Sequence, residues 1–460
     1  MRYFQPFQIT AALLGLLLQA QASAASFPGG QSDNFDFRYV VNSAKEKVFP
    51  SVVFLKCLRQ DMQTGNKISQ EVSGSGVIIS KEGEILTNWH LVDKAIQVRC
   101  LLYDGRALDA KVLGADKDTD IALLKLEVPQ DSKPPLPSAA LGSSAKLSEG
   151  DFVMALGAPW GLTRSVSIGI ISCTKRFLPE ASEYSCWLQT DAAISPGNSG
   201  GPLVNTSGEI IGINARGIMV GGDTGFAVPI DVALAVASQI RQYGKVSWTW
   251  TGLELQPLKD FNRNIYFNAS EGVIVAETQP GSPARNAKLL PGDRIIKING
   301  QTINGLTEED LPAIRRLLGL LPKGTPAKID LERQGEKLSL ELIPAEKGMV
   351  EGEELAFPRW DLTAKAINQF DTPELFYLRP QGIFVYGVKA PGNAQMAGLL
   401  PQDIILKIDT TEINNAADIS AAYKAAMDKL DTKPRVVISV MRGGMLRQIV
   451  LDFSRNFQKE

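Results

Sequence analysis

The sequence predicts a mainly β protein: a double β-barrel followed by two copies of a smaller β-rich module. Three observations carry that expectation. Short β-branched runs divided by turn signals fall into two sets of six, a spacing typical of closed barrels and sandwiches. A Pro-rich link at 129–137 separates the two sets. Farther on, 272–304 and 382–414 align without a gap, with 13 of 33 positions identical, the mark of a duplicated unit.

At 460 residues the chain has room for about three domains at roughly 150 residues each. It is 44% hydrophobic and 21% charged, enough to bury sizeable cores. The net charge is −2 with no basic run, which argues against nucleic acid as a partner. At the N-terminus, Arg2, the apolar stretch 9–18 and Ala22-Ser23-Ala24 read as a cleavable export signal over 1–24. No stretch reaches the ~20 apolar residues of a spanning helix, so no integral membrane segment is expected. After export the cysteines meet an oxidising compartment, where disulfides persist.

The chain then reads in order. Over 25–45, Phe35, Phe37 and Tyr39 alternate, which reads as an extended arm and a candidate oligomer contact. The first six strands are expected at 51–58, 76–80, 85–91, 96–103, 107–113 and 121–126. The second six are expected at 151–156, 166–174, 185–190, 202–205, 210–214 and 225–228, with a closing helix at 232–241. Four cysteines allow three pairings. Cys57 and Cys100 lie on the first and fourth strands, which meet when a barrel closes, and Cys173 and Cys186 flank one loop. Those two disulfides are the expected pairing, with four buried thiols as the alternative. No Cys-x-x-Cys pair is present and there is one histidine, so neither a metal nor a cofactor is expected.

That histidine, His90, stands at the end of the apolar run Ile85-Leu86-Thr87-Asn88-Trp89-His90. Imidazole is the side chain suited to general-base work near neutrality. Asp120 directly precedes the apolar strand Ile121-Ala122-Leu123-Leu124, where a carboxylate can be half buried and orient an imidazole. Asp116 and Asp118 are expected to be its surface counterparts. The candidate nucleophile is Ser199, in Thr190-Asp191-Ala192-Ala193-Ile194-Ser195-Pro196-Gly197-Asn198-Ser199-Gly200-Gly201-Pro202-Leu203. Glycines beside a serine let backbone amides converge on a developing oxyanion. The order His, Asp, Ser, with base and acid in one half and nucleophile in the other, is the chymotrypsin order.

Those three stretches, with Gly169-Ile170-Ile171-Ser172, Gly212-Ile213-Asn214 and Leu156-Gly157-x-Pro159-x-Gly161-Leu162, resemble the HtrA/Deg family of exported serine proteases. The resemblance implies a chymotrypsin-like double β-barrel protease domain followed by two PDZ domains. It implies a triad of His90, Asp120 and Ser199, and an oxyanion hole from the amides of Gly197, Asn198 and Ser199. It also implies an ATP-independent endopeptidase of the periplasm that degrades unfolded or damaged proteins as a homotrimer or larger assembly. A specificity pocket lined by Ala193, Ile194 and Gly217 has no charge to neutralise Lys or Arg, so cleavage after small or medium apolar residues is expected. Where the family usually carries a hydroxyl after Gly212-Ile213-Asn214, this chain has Ala215, a change expected to trim activity.

The repeated units then read as PDZ modules, which capture extended peptides at a sheet edge. Thr251-Gly252-Leu253 resembles a carboxylate-binding loop for peptide C-termini, whereas Asp361-Leu362-Thr363 lacks the glycine and carries an acid. The first module is therefore expected to bind peptides and the second to pack or assemble. The expected organisation is signal 1–24, arm 25–45, protease 46–245, first module 250–345 and second module 354–456. Loops 59–73, 174–185 and 215–223 are expected to carry any switching of the site. The competing reading is a chaperone or peptide-binding scaffold with a minor or dormant protease site.

Overall fold

The computed structural model describes residues 36–129, 135–158, 164–179, 181–218, 224–260, 266 and 268–457. The signal, Phe35, most of the arm and Pro159, Gly161 and Leu162 lie outside the described residues.

Six strands close the first barrel: β1 (Val52–Asp61), β2 (Ile68–Ile78), β3 (Glu84–Thr87), β4 (Ala95–Leu101), β5 (Ala107–Asp116) and β6 (Ile121–Leu126). They run in the order β1-β2-β3-β6-β5-β4, and β1 pairs with β4. Alternate residues such as Val53, Leu55, Ile85 and Leu124 point inward and fill it. The second barrel contains β7 (Ala140–Leu141), β8 (Phe152–Gly157), β9 (Ser165–Arg176), β10 (Trp187–Thr190), β11 (Pro202–Asn205), β12 (Glu209–Ile218) and β13 (Thr224–Pro229). Pairing of β11 with β12 returns its sheet to the start.

Two segments differ from expectation. The Phe37/Tyr39 stretch is helical, α1 (Phe37–Val48), because Asp36 caps it and Ala44 and Val48 recur on one buried face. Helical spacing outweighs the short aromatic alternation. β3 also stops at Thr87, and His90 belongs to the helical turn α2 (Trp89–Val92).

All four cysteines are free thiols, which corrects both expected pairings. β1 and β4 are neighbours, but their register sets Cys57 opposite Val98 and Cys100 opposite Leu55. Burial pushes the Cys57 thiol up to about 12, so it is unreactive. Cys173 pairs with Gln189, while Cys186 lies beyond the start of β10 and donates to the Glu309 carbonyl at 3.1 Å.

Helix α3 (Ile230–Tyr243) closes the second barrel and ends at Gly244 in the left-handed region. The first repeat follows: β14 (Thr249–Trp250), β15 (Leu253–Gln256), β16 (Val273–Thr278), α4 (Pro283–Asn286), β17 (Arg294–Ile298), β18 (Gln301–Thr302), α5 (Leu311–Gly319), β19 (Ala327–Arg333), β20 (Glu336–Leu342) and β21 (Ala345–Glu346). Its sheet order is β15-β16-β17-β19-β20, so β15 is an edge. The second repeat comprises β22 (Glu354–Phe357), β23 (Leu362–Ala366), α6 (Pro373–Leu378), β24 (Ile383–Val388), α7 (Asn393–Ala397), β25 (Ile404–Ile408), β26 (Thr411–Glu412), α8 (Ala416–Met427), β27 (Arg435–Arg442) and β28 (Met445–Asp452). Its order is β22-β23-β24-β25-β27-β28. Each repeat has its own apolar core. Among the described residues no helix is long and apolar enough to cross a membrane.

Candidate active site

His90 and Asp120 come from turns at one end of the first barrel. Asp120 occupies the tight link between β5 and β6 with φ +56°, a left-handed conformation that costs an L residue about 1–2 kcal/mol. Contacts at both its backbone and its side chain hold it there. Its carbonyl accepts from the Trp89 amide (3.2 Å) and the Asn88 side-chain amide (3.1 Å). Its carboxylate accepts from the His90 amide (3.1 Å), and each oxygen stands 2.9 Å from His90 Nδ1. The carboxylate is buried while the imidazole is about a third exposed. With Nδ1 engaged, Nε2 is the ring nitrogen left for proton transfer.

Ser199 arrives from the second barrel. The Ser195–Asn198 turn closes through Asn198 N to Ser195 O (3.0 Å), with Gly197 at φ +103°, as a type II turn after proline requires. The next loop presses onto the first barrel. A Cβ on Gly200 would lie 2.1 Å from the Ser75 carbonyl oxygen and 2.3 Å from Thr87 Oγ1, so no side chain fits. Ser75 pins the same loop twice and ties it to the end of β8. Its hydroxyl donates to Gly197 O (2.6 Å) and accepts from Ala158 N (2.9 Å), and its amide donates to Ser199 O (2.8 Å). Among the described residues nothing accepts the amides of Gly197 or Ser199. Asn198 is buried, with its side-chain oxygen taking a bond from Ser165 Oγ (3.0 Å).

The Ser199 hydroxyl donates to the Ala215 carbonyl at 2.9 Å; among the described residues it makes no hydrogen bond to His90. Ala215 itself is buried and touches the site through its backbone. Ala193 accepts from Ser167 Oγ (2.6 Å). Ile194 packs on Gly225, where a Cβ would lie 2.8 Å from its Cδ1, and Gly225 faces Gly217 across β12 and β13. Ile194 and Gly217 thus meet at Gly225, and Ala193 precedes Ile194 in the chain. Ser75 and Gly225 are the residues that sequence reasoning missed. Neither carries a local signal, because each acts through a neighbour distant in the chain.

Asp116 and Asp118 are not surface residues. Asp116 is buried, accepting from Trp248 Nε1 (2.9 Å) and Thr119 Oγ1 (2.6 Å). Burial, then the Asp118 charge, pushes its carboxyl up to about 6. Burial also raises Asp118.

In the first repeat, Gly252 has φ +70°, and its carbonyl accepts from Gln279 N (2.9 Å). Thr251, Gly252 and Leu253 line a cavity of ~90 Å³ that Glu183 and Tyr184 of the protease also wall. Segment 59–73, expected to carry switching, forms the far end of the β1–β2 hairpin and reaches the second repeat. There Met62 O accepts from Thr363 Oγ1 (2.5 Å) and Gln63 donates to Tyr386 Oη (3.0 Å).

Two barrels that bring a His–Asp pair and a glycine-flanked serine, followed by two smaller β-rich repeats, define a class of modular serine endoprotease. Residues 74–213 match the trypsin-like peptidase domain family and 245–316 match the PDZ domain family. A probable periplasmic serine endoprotease, DegP-like, of Hahella chejuensis is 35% identical over 389 residues, covering 82% of this chain and 80% of that relative. One of Chlamydia muridarum is 30% identical over 441 residues, covering 94% and 83%. The HtrA-type protease AlgW solved with a tripeptide superposes with a TM-score of 0.58 at 33% identity, covering 67% of this chain and 97% of that one. With a decapeptide the values are 0.56, 30%, 67% and 99%. The chain belongs to the HtrA family of DegP-like serine endoproteases, and it is a serine endoprotease. The PDZ family match covers the first repeat alone.

Proposed function

We propose that this chain is an exported, ATP-independent endopeptidase that cleaves unfolded or damaged proteins with Ser199, His90 and Asp120. The observation that carries the reading is the doubly contacted His90–Asp120 pair, with the Ser199 loop pinned onto the same barrel by Ser75. Ser199 Oγ attacks the scissile carbonyl as His90 Nε2 takes its proton, and the imidazolium returns that proton to the leaving amine. Water then repeats the sequence on the acyl-enzyme. Asp120 holds the tautomer with Nδ1–H and stabilises the imidazolium. Of the three amides expected to form the oxyanion hole, that of Asn198 is taken by Ser195 O (3.0 Å), which leaves those of Gly197 and Ser199 to receive the oxyanion, each such donor contributing typically about 3–4 kcal/mol.

Ala193, Ile194 and Gly217 favour a small or medium apolar residue before the cut. An extended peptide adds to the open edge of β15, with its carboxylate at Thr251, Gly252 and Leu253. The second repeat is a PDZ-like module that packs rather than captures. The signal over 1–24 directs the chain to the periplasm, and the mature protein works as a trimer or larger assembly.

Unfolded casein tests this directly. Ser199→Ala abolishes its digestion, and a peptide library shows Val, Ala or Ile before the cut; a preference for Arg overturns the pocket. A second reading draws on the bond from Ser199 to Ala215: a site dormant at rest in a chaperone or scaffold. Full biological effect in Ser199→Ala favours that reading. Stimulation of casein digestion by an apolar C-terminal peptide favours the first.

A further inference from the structure

The segment joining the two repeats crosses both turns that carry the His–Asp pair. Lys347 is buried, with 7% of its side chain exposed. Its Nζ lies 2.9 Å from Asp118 Oδ2, 3.3 Å from Glu183 Oε2 and 3.2 Å from Tyr184 Oη. Farther along, Glu351 pairs with Lys117, and Glu354 pairs with Lys94 at 2.5 Å. Lys117 and Asp118 lie in the same turn just before Thr119 and Asp120, and Lys94 follows the His90 turn.

The Asp120 turn therefore hangs on groups from outside the barrels. Asp118 O accepts from Ser182 Oγ (2.5 Å), and Asp120 N donates to Lys117 O (3.2 Å). Trp248, bonded to Asp116, stacks on Tyr184 with ring centroids 4.1 Å apart, and the Lys347 amide donates to Trp248 O (3.1 Å). Asp116, Asp118 and Glu183 bring three carboxyl groups to this cluster, and Lys347 is the cation placed among them. Against the pull of burial, Asp118 and Glu183 hold its ammonium above the ordinary range. Glu183 is half exposed and can turn to water, but Asp118 has 18% of its side chain exposed. Without a cation, Asp118 near neutral pH must move outward or take up a proton, and either changes the turn in which Asp120 lies two residues on. Breaking a buried ion pair from one side is far costlier than removing both charges.

We infer that Lys347 is a positioning residue for peptide hydrolysis: its ammonium neutralises Asp118 and so holds the turn that presents Asp120 to His90. The inference rests on Asp120 being the orienting acid. It makes the chain between the modules, and not the barrels alone, a condition for full activity.

The test uses the full-length chain and a short chromogenic peptide substrate. Lys347→Met is expected to lower kcat about tenfold with KM little changed, as small misplacements of a catalytic group do. Adding Asp118→Asn to Lys347→Met is expected to restore most of that loss. A role limited to docking the modules predicts no rescue. The acid limb of the kcat/KM profile is expected to move to higher pH in Lys347→Met, because the added negative field favours the imidazolium. Besides Lys347, the charged or titratable groups facing this region are Asp120, Asp93, Lys94, Asp116, Lys117, Asp118, Glu183, Tyr184 and Glu351, and all of these remain in that variant. Asp120→Asn serves as control. If it leaves activity intact, the triad reading fails. If it abolishes activity while Lys347→Met is unaffected, or is impaired without rescue by Asp118→Asn, the positioning role alone is overturned.

Discussion

The two repeats share a strand order, and each has the same internal brace. Arg333 clasps Asp293 in the first (2.6 and 2.7 Å) and Arg442 clasps Asp403 in the second (2.6 and 2.5 Å). They part company at the place where a peptide would bind. β15 is an open edge, whereas β23 is already paired along its length by β22, from Glu354 opposite Lys365 to Phe357 opposite Leu362. The loops ahead of these strands exchange a small residue between two facing positions. Gly252 (φ +70°) lies against Ser282, where a Cβ would sit 2.1 Å from the Ser282 Cβ. Asp361 (φ +56°) occupies the matching place in the second repeat, its carbonyl accepting from Lys389 N (3.0 Å) as Gly252 does from Gln279 N (2.9 Å). It faces Gly392, and its carboxylate caps Asn393 N (3.0 Å) where Ser282 caps Arg285 N (3.2 Å) in the first repeat. One scaffold thus keeps its backbone path while a carboxylate and a built-in strand occupy the edge that stays open in the first repeat.

The largest expected effect follows from moving that exchange. Gly252→Asp with Ser282→Gly is expected to weaken binding of an apolar C-terminal peptide at least about 100-fold by calorimetry, since the new carboxylate repels the peptide's own. Melting temperature is expected to stay within a few degrees, while Gly252→Asp alone melts well below the parent because its Cβ meets Ser282. The reverse pair, Asp361→Gly with Gly392→Ser, is expected to confer no binding on the second repeat, because β22 still covers the edge. Binding there would break the comparison.

Next in size, Arg333→Met and Arg442→Met should each cost about 2 kcal/mol in denaturant unfolding. Each leaves a buried carboxylate without its partner, at Asp293 or Asp403. Clearly unequal costs would show that the braces are not equivalent.

The smallest effect concerns attachment. The first repeat is tied to the protease by Trp248 on Asp116, the second by the β1–β2 hairpin on Thr363 and Tyr386. The Asp116 carboxyl keeps its proton up to about 6 in the folded chain but releases it near 4 when unfolded. Between those values the folded state binds more protons, so stability falls as pH rises and stays lower above the window. Asp116→Asn is therefore expected to be more stable than the parent by about 1–2 kcal/mol at pH 7.5, with no gain below pH 4. A gain independent of pH would sink this account.

Much of the molecule was legible in its residues. Alternating apolar runs marked most strands of both barrels, since a one-residue slip would turn every side chain the wrong way. The shared Leu-x-Pro-x-Asp layout exposed the repeats, and the residue types of His90, Asp120 and Ser199 pointed to one chemistry. The misses have physical causes. The Phe37/Tyr39 alternation lost to an Asp36 cap and a helical stripe through Ala44 and Val48. The disulfides failed on register, which strand proximity alone does not specify. Asp116 and Asp118 read as surface because a short Asp-Lys-Asp stretch carries no sign of a Trp or Lys brought from far along the chain.

By itself the sequence determined which elements form and which chemistry their side chains can perform, because periodicity, glycine placement and ionisable groups are local properties. The tertiary structure alone decided that Ser75 pins the Ser199 loop, that β22 closes the second repeat, and that Lys347 meets Asp118. Each of these contacts joins residues far apart in the chain, and only the packed fold fixes the distance between them.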